Sequence, residues 1–290
     1  MRMIGDPKVS VVLPCYNAHK YMPAALQSIE RQSYKNIEII VVDDGSTHRE
    51  TIEYLGGIGN RVKLLRQNNL GLSAARNRGF QDASGDYILP LDCDDWLEPN
   101  AIEELVILLE QSEEGRFAFP QMILEGDLSG VTNKHFNFFE QLFLNQLPYC
   151  LMVPKAAWRD IGGYDEAMRD GYEDWDFNIR LGLSGWRGVS PVTPLFHYRV
   201  SKGGMLLSKS SRLHSVLWAV IREKNGPAYT LGNLYKMWSM WAAQPSTYPL
   251  SIYWIWLLAN KVLPMTFNTW VFNLTRRWSH SRRISRKYLR

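Results

Sequence analysis

Apolar residues in the first hundred positions fall into short runs separated by amphipathic stretches. VSVVLP at 9–14 and IEIIVV at 37–42 are Val- and Ile-rich enough for buried strands. RVKLLR at 61–66 alternates like a third strand, and DYILPL at 86–91 supplies a fourth. Between them Tyr21, Ala25, Ile29 and Gln32 recur at helical spacing, and LSAARNRGFQDAS at 72–84 reads as a helix. Another helix follows Pro99, because proline suits a first helical turn. Strands alternating with helices predict βαβ units and an α/β fold with a mainly parallel central sheet flanked by helices. Ligands bind such sheets at the carboxyl ends of the strands. The polar clusters sit there: CYN after the first run, DDGS after the second, DCDD after the fourth.

The pattern blurs over residues 112–148, where Phe and Leu scatter among Gly, Asn and Gln, so an irregular connection is expected. It resumes with CLMV at 150–153, a helix-like 154–161, a Gly162-Gly163 break and a helix over 173–184 followed by Gly185, which suits a C-terminal cap. Residues 186–199 read as late strands.

The chain has 290 residues, 46% hydrophobic and 21% charged. That composition fits a globular enzyme and excludes collagen, low-complexity disorder and a polytopic membrane protein. The net charge of +4 gives no sign of a nucleic-acid partner, yet it hides an asymmetry. Residues 205–290 hold 13 Lys+Arg against one acid, Glu223, whereas residues 1–204 hold 20 basic and 28 acidic residues. The C-terminal stretch also holds seven of the eleven Trp. Cys15, Cys93 and Cys150 are widely spaced, with no CxxC pair for zinc, and their odd number argues against a disulfide framework. A reducing compartment is expected. The N-terminus lacks the apolar core of a signal peptide.

Residues 237–260 contain no charged side chain, but their dense apolar part, Leu250–Ala259, is about half the roughly 20 residues a bilayer span needs. Residues 276–290 hold seven Lys+Arg and no acid. Aromatic and basic residues together suit the face of an anionic membrane, contacted through residues 237–290. Two alternatives are a helical subdomain packing its Trp on the body, and RNA stacking.

Five clusters carry candidate chemistry. Asp92-Cys93-Asp94-Asp95 gathers carboxylates that repel one another unless a cation or hydrogen-bond donors intervene. Hard Mg²⁺ or Mn²⁺ binds through one or two carboxylates plus substrate phosphates. Asp43-Asp44-Gly45-Ser46 can accept hydrogen bonds from a base or ribose, or simply form a turn. Arg76, one turn inside its helix, can face an anion. Glu173-Asp174, between Tyr172 and Trp175, can hold a partly desolvated general base, or merely favour a helix N-terminus. His197 ends a late strand and could bind a metal.

Singly these are weak; in their order they resemble the family 2 inverting glycosyltransferases. The likeness runs through residues 9–47, 70–99 and 172–187 and covers roughly 8–200. It implies a GT-A fold, with a catalytic domain over 1–204 (a nucleotide-binding half about 1–98, an acceptor half about 99–204) and a C-terminal helical extension over 205–290. It also implies nucleoside contacts from Pro14, Tyr16, Asn17, Asp43, Asp44, Arg76 and Asp92. Metal ligands would be Asp94, Asp92 and His197, holding Mn²⁺ or Mg²⁺. Asp174 would be the general base, with Glu173 its neighbour. The implied reaction is inverting, metal-dependent transfer of a sugar from a nucleotide-diphosphate donor, with a UDP-sugar expected, to a hydroxyl of a glycan or lipid-linked acceptor in surface-glycan synthesis. The implied location is cytoplasmic, at the inner face of the membrane. A non-catalytic nucleotide-sugar-binding scaffold and a nucleotidyltransferase are the alternatives.

Overall fold

The computed structural model describes residues 6–201 and 213–262. The nucleotide-side half is built from β1 (Val9–Cys15), α1 (Met22–Glu30), β2 (Ile37–Asp44), α2 (Arg49–Gly56), β3 (Lys63–Gln67), α3 (Leu72–Asp82) and β4 (Tyr87–Pro90). Apart from α2, which the sequence pattern did not indicate, these match the expected runs within a few residues. Then come β5 (Trp96–Leu97), α4 (Ala101–Gln111), β6 (Arg116–Ala118), β7 (Gln121–Gly126), β8 (Gly130–Thr132) and α5 (Phe138–Gln141). They are followed by β9 (Val153–Pro154), α6 (Lys155–Asp160), α7 (Glu173–Leu183), β10 (Arg187–Val189) and β11 (Pro194–Val200).

The central sheet has the order β3-β2-β1-β4-β9, with β1 to β4 parallel and β9 antiparallel at the edge. β1 is buried on both faces, which explains an apolar run broken only by Ser10, whose hydroxyl donates to Glu38. α3 lies against β1 and β2 at Gly79, where an added Cβ would stand 2.3 Å from a Val12 methyl. A second sheet, β5-β11-β7-β8, faces the strand ends, and β6 pairs with β10.

Residues 112–148 are more regular than their sequence suggests. β6 and β7 take partners about seventy residues away, β10 and β11, so their register comes from tertiary pairing rather than local periodicity.

The expected C-terminal helical extension is present as α8 (His214–Lys224), α9 (Leu231–Trp241) and α10 (Leu250–Val262). Trp218, Trp241, Tyr253 and Leu257 are buried with Phe138, Phe139, Phe143 and Trp175 in one cluster. Of the readings of this aromatic stretch, packing on the body describes these side chains, because Phe-rich α5 offers them an apolar face. Buried Glu140 adds a polar latch: it accepts from the Thr247 N–H at 2.7 Å and from the Tyr253 hydroxyl. The basic run at 276–290 lies outside the described residues. Among those described, no helix is long and apolar enough to cross a membrane.

Candidate active site

The loops after β1 and β2 are tied together by Asn17. Its side-chain oxygen accepts from the Thr47 and His48 N–H groups at 2.8 and 2.9 Å, and its own N–H donates to Ser46 Oγ. Asn17 takes a left-handed φ of 54°, a conformation that asparagine tolerates better than most residues. Gly45 also has positive φ, and an added Cβ would lie 2.7 Å from the Asn69 nitrogen. Pro14 is buried beneath this crossing, while Tyr16 is half exposed above it. Asp43, 7% exposed, accepts from the Ser46 N–H at 2.9 Å.

Asp44 has a different task from its neighbour. Its carboxylate receives Gln67 Nε2 and the Leu70 and Gly71 N–H groups at 2.8–2.9 Å, so it holds the turn leading into α3. In this arrangement it shapes the pocket wall.

Arg76 is the junction of the site. Its guanidinium, 1% exposed, donates to both Asp92 oxygens at 2.9 and 3.1 Å and to Glu173 Oε1 at 3.0 Å. It also lies over the rings of Tyr149 and Tyr164, 4.9 and 5.3 Å from their centroids. One buried cation thus joins the strand-end acids to the acids that open α7, 97 positions away in the chain.

The three strand-end carboxylates are partnered unequally. Asp92 is paired with Arg76. Asp95, 2% exposed, accepts from the Tyr149 hydroxyl at 2.6 Å and from the Arg199 N–H at 2.7 Å. Asp94, at the crest of the turn, has no side-chain hydrogen-bond partner among the described residues. The residue is exposed at the turn, yet the protein around its carboxyl, and then the charge of Asp92, raise its pKa to about 6.

Glu173 and Asp174 occupy the first turn of α7, where the helix dipole favours negative charge. Tyr172 precedes them in a left-handed conformation (φ 66°), a strained state for an aromatic residue. Its hydroxyl meets His214 Nδ1 of α8 at 2.9 Å, so the C-terminal extension holds the start of this helix. Asp174 accepts from Asn145 Nδ2 at 2.9 Å and from the Trp175 N–H at 2.8 Å. Burial raises its carboxyl above the usual range, and Arg76 partly opposes that rise. Burial and the charge of Asp174 push Glu173 up to about 7.

His197 is not gathered with Asp92 and Asp94. Its Nε2 lies 2.7 Å from Glu98 and its Nδ1 3.3 Å from Glu125, while its ring stacks on Trp96 at 4.8 Å. The cause is the pairing of β11, which sets His197 opposite Trp96 on β5 and Ile123 on β7. The histidine expected as a ligand is thus held between two carboxylates and an indole. No set of three potential metal ligands is assembled among the described residues. Sequence reasoning missed Asn145, in the stretch it read as irregular, and Tyr149 just beyond it.

Comparison with known proteins places this geometry in context. The model for Glycosyl transferase family 2 matches residues 10–151. The putative glycosyltransferase EpsE of Bacillus subtilis is 30% identical over 213 residues, covering 68% of this chain and 74% of EpsE. The glycosyltransferase GlyA of Streptococcus pneumoniae is 44% identical over 105 residues, covering 36% of this chain and 15% of GlyA. The chain thus spans a small part of GlyA, and 30% of another match, the putative glycosyltransferase EpsH of B. subtilis. Among solved structures, Staphylococcus aureus TarS 1–349 in complex with UDP-GlcNAc superposes with a TM-score of 0.59 at 20% identity, over 74% of this chain and 66% of that one. Its complex with UDP gives 0.57 at 21% identity, with coverage of 74% and 65%. The likeness is one of fold.

Proposed function

Because the chain belongs to glycosyl transferase family 2, we propose that it transfers a sugar from a UDP-sugar to a hydroxyl of a glycan or lipid-linked acceptor, with inversion. The observation that carries this reading is the Asp92–Arg76–Glu173 junction, which sets the strand-end acids and the Glu173-Asp174 pair into one cleft. The solved TarS complexes with UDP and UDP-GlcNAc support a uridine donor by likeness of fold.

The nucleoside meets Tyr16 and Asp43 in the loops that Asn17 crosses, and Asp92 lies at the ribose end. Asp174 takes the proton from the acceptor hydroxyl, whose oxygen then attacks the anomeric carbon from the face opposite the leaving diphosphate. Asn145 and the Trp175 N–H hold the carboxylate, and its raised pKa makes it a better base than a solvated Asp. A single displacement inverts the configuration and needs no enzymic nucleophile.

The donor set suits Mg²⁺ or Mn²⁺: oxygen ligands only, with the Asp94 carboxylate lacking a side-chain partner among the described residues and strained by its like-charged neighbour. Asp94, with Asp92, would hold the ion. When bound, the ion neutralises charge on the departing diphosphate. Asp94→Asn should abolish any gain in UDP affinity on adding Mn²⁺, read by calorimetry; an unchanged gain would remove Asp94 from the site.

The exposed Leu231, Tyr235, Met240, Ile255 and Leu258, together with the basic run at 276–290, form the proposed contact with the anionic inner face of the membrane. Each basic residue near such a surface contributes about 1 kcal/mol, screened by salt. The full chain should sediment with anionic but not neutral vesicles, and release as salt rises. Equal sedimentation with both would oppose an electrostatic contact.

A further inference from the structure

The donor cleft contains a pair of groups that sugar transfer does not use. Cys15 ends β1, and Cys93 stands between Asp92 and Asp94. β1 and β4 run parallel at a constant offset, with Val9 opposite Tyr87 and Val12 opposite Pro90. The Leu91 N–H continues the ladder, donating to the Val12 carbonyl at 2.9 Å. Cys93 lies just past the end of β4, in the turn that Asp95 closes on Asp92, and the same offset continued into that turn points to Cys15 as its neighbour. The side chain agrees with it: Cys93 Sγ donates to the carbonyl of Pro14, the residue before Cys15, at 3.2 Å. Both cysteines are free and buried, at 1% and 5% exposure. Adjacent strands hold their backbones about 4.8 Å apart. That lies inside the roughly 4.4–6.8 Å Cα separation that a disulfide spans.

We propose that Cys15 and Cys93 are a redox-sensitive dithiol that peroxide closes to a disulfide, switching off donor binding. The switching rests on the UDP-sugar reading; the bond itself does not.

The chemistry balances in two steps. The Cys15 sulfur, as thiolate, attacks one oxygen of hydrogen peroxide. The O–O bond breaks, hydroxide leaves and takes up a proton as water, and Cys15 becomes a sulfenic acid. The Cys93 sulfur then attacks the Cys15 sulfur, the S–O bond breaks, and the hydroxyl departs as water with the Cys93 proton. Two thiols are oxidised and one peroxide is reduced, giving one disulfide and two waters. Hydrogen bonds from Cys93, the Ala18 N–H and Ser46 hold the Cys15 thiol below its usual range, which favours it as the attacking sulfur. The exposed Asp94 and half-exposed Tyr16 flank the pair, so peroxide enters from the mouth of the cleft.

Closure affects the donor because of where the sulfurs sit. Drawing two thiols into a bond of about 2.05 Å pulls the 92–95 turn onto β1. Asp92 and Asp94 move with Cys93, and Tyr16 with Cys15. A misplacement of roughly 1 Å in positioning groups can cost a hundredfold, so UDP affinity should fall by about tenfold or more.

The test treats the full chain with hydrogen peroxide, with and without UDP, then alkylates free thiols and maps peptides without reduction. The expected result is a Cys15–Cys93 cross-linked peptide, a loss of calorimetric UDP affinity, reversal of both by dithiothreitol, and slower closure when UDP is bound. Cys150→Ala should respond like the natural chain. Cys15→Ser and Cys93→Ser should form no cross-link, and each should lose the dithiothreitol-reversible part of the effect relative to its own untreated state. Oxidation to sulfinic acid without a cross-link would overturn the dithiol. A cross-linked chain that binds UDP as well as the reduced one would overturn the switch. If the reduced chain binds no UDP while the cross-link still forms, the donor reading fails and the dithiol stands.

Discussion

Asp174→Asn should lower kcat by about 10²–10⁴-fold, the usual contribution of a positioned general base, while leaving UDP affinity within about twofold. Asparagine keeps the size of the side chain and its one oxygen can still accept from the Trp175 N–H, so the site should survive and the chemistry should not. The natural chain should show the base in its pH profile. Only the ionised carboxylate accepts a proton, and burial holds the Asp174 pKa above the usual range. Activity should therefore rise with pH, with an acid limb above that of a solvated Asp. Glu173, at about 7, adds a second loss on acidification, because its protonation releases the Arg76 ion pair. A kcat within a fewfold of the natural value in Asp174→Asn would end its assignment as base.

The second large effect is expected at Arg76. Arg76→Leu leaves Asp92 and Glu173 facing each other without their shared cation. Removing one partner of a buried ion pair costs about 3–5 kcal/mol, because a buried charge stays uncompensated. Denaturant unfolding should show a loss of that order, and UDP binding should weaken with it. Arg76→Lys should recover only part, since one ammonium cannot reproduce a fork bonded to two carboxylates and stacked between two tyrosines. Unfolding free energy within about 1 kcal/mol of the natural value in Arg76→Leu would show that the junction is not a stabilising element.

Much of the site was legible because strand ends carry their own signature. Asp43 and Asp92 follow apolar runs, and a mainly parallel sheet brings such ends to one edge without further information. Partner choice was not legible. Arg76 reads as an arginine that can face an anion, but that its partners are Asp92 and Glu173 is seen only when Glu173 arrives from far along the chain. Asp44 looks equivalent to Asp43, and only the Gln67–Gly71 turn reveals that its oxygens are already engaged. His197 has the composition of a metal ligand, but Glu98, Glu125 and Trp96, which surround its ring, come from elements that the sequence does not bring together. The aromatic C-terminal helices suit lipid or protein equally by composition. Phe138, Phe139 and Phe143 settle the matter for Trp218 and Trp241, and they lie where the hydrophobic pattern was weakest.

Diphosphate release from a panel of nucleotide sugars, run with Mn²⁺ and a mixture of glycan and lipid-linked acceptors, tests sugar transfer at this cleft most directly. The expected result is acceptor-dependent release of UDP from at least one UDP-sugar by the natural chain and its loss in Asp174→Asn. Equal release by both proteins, or none from any donor while UDP itself binds, would contradict it.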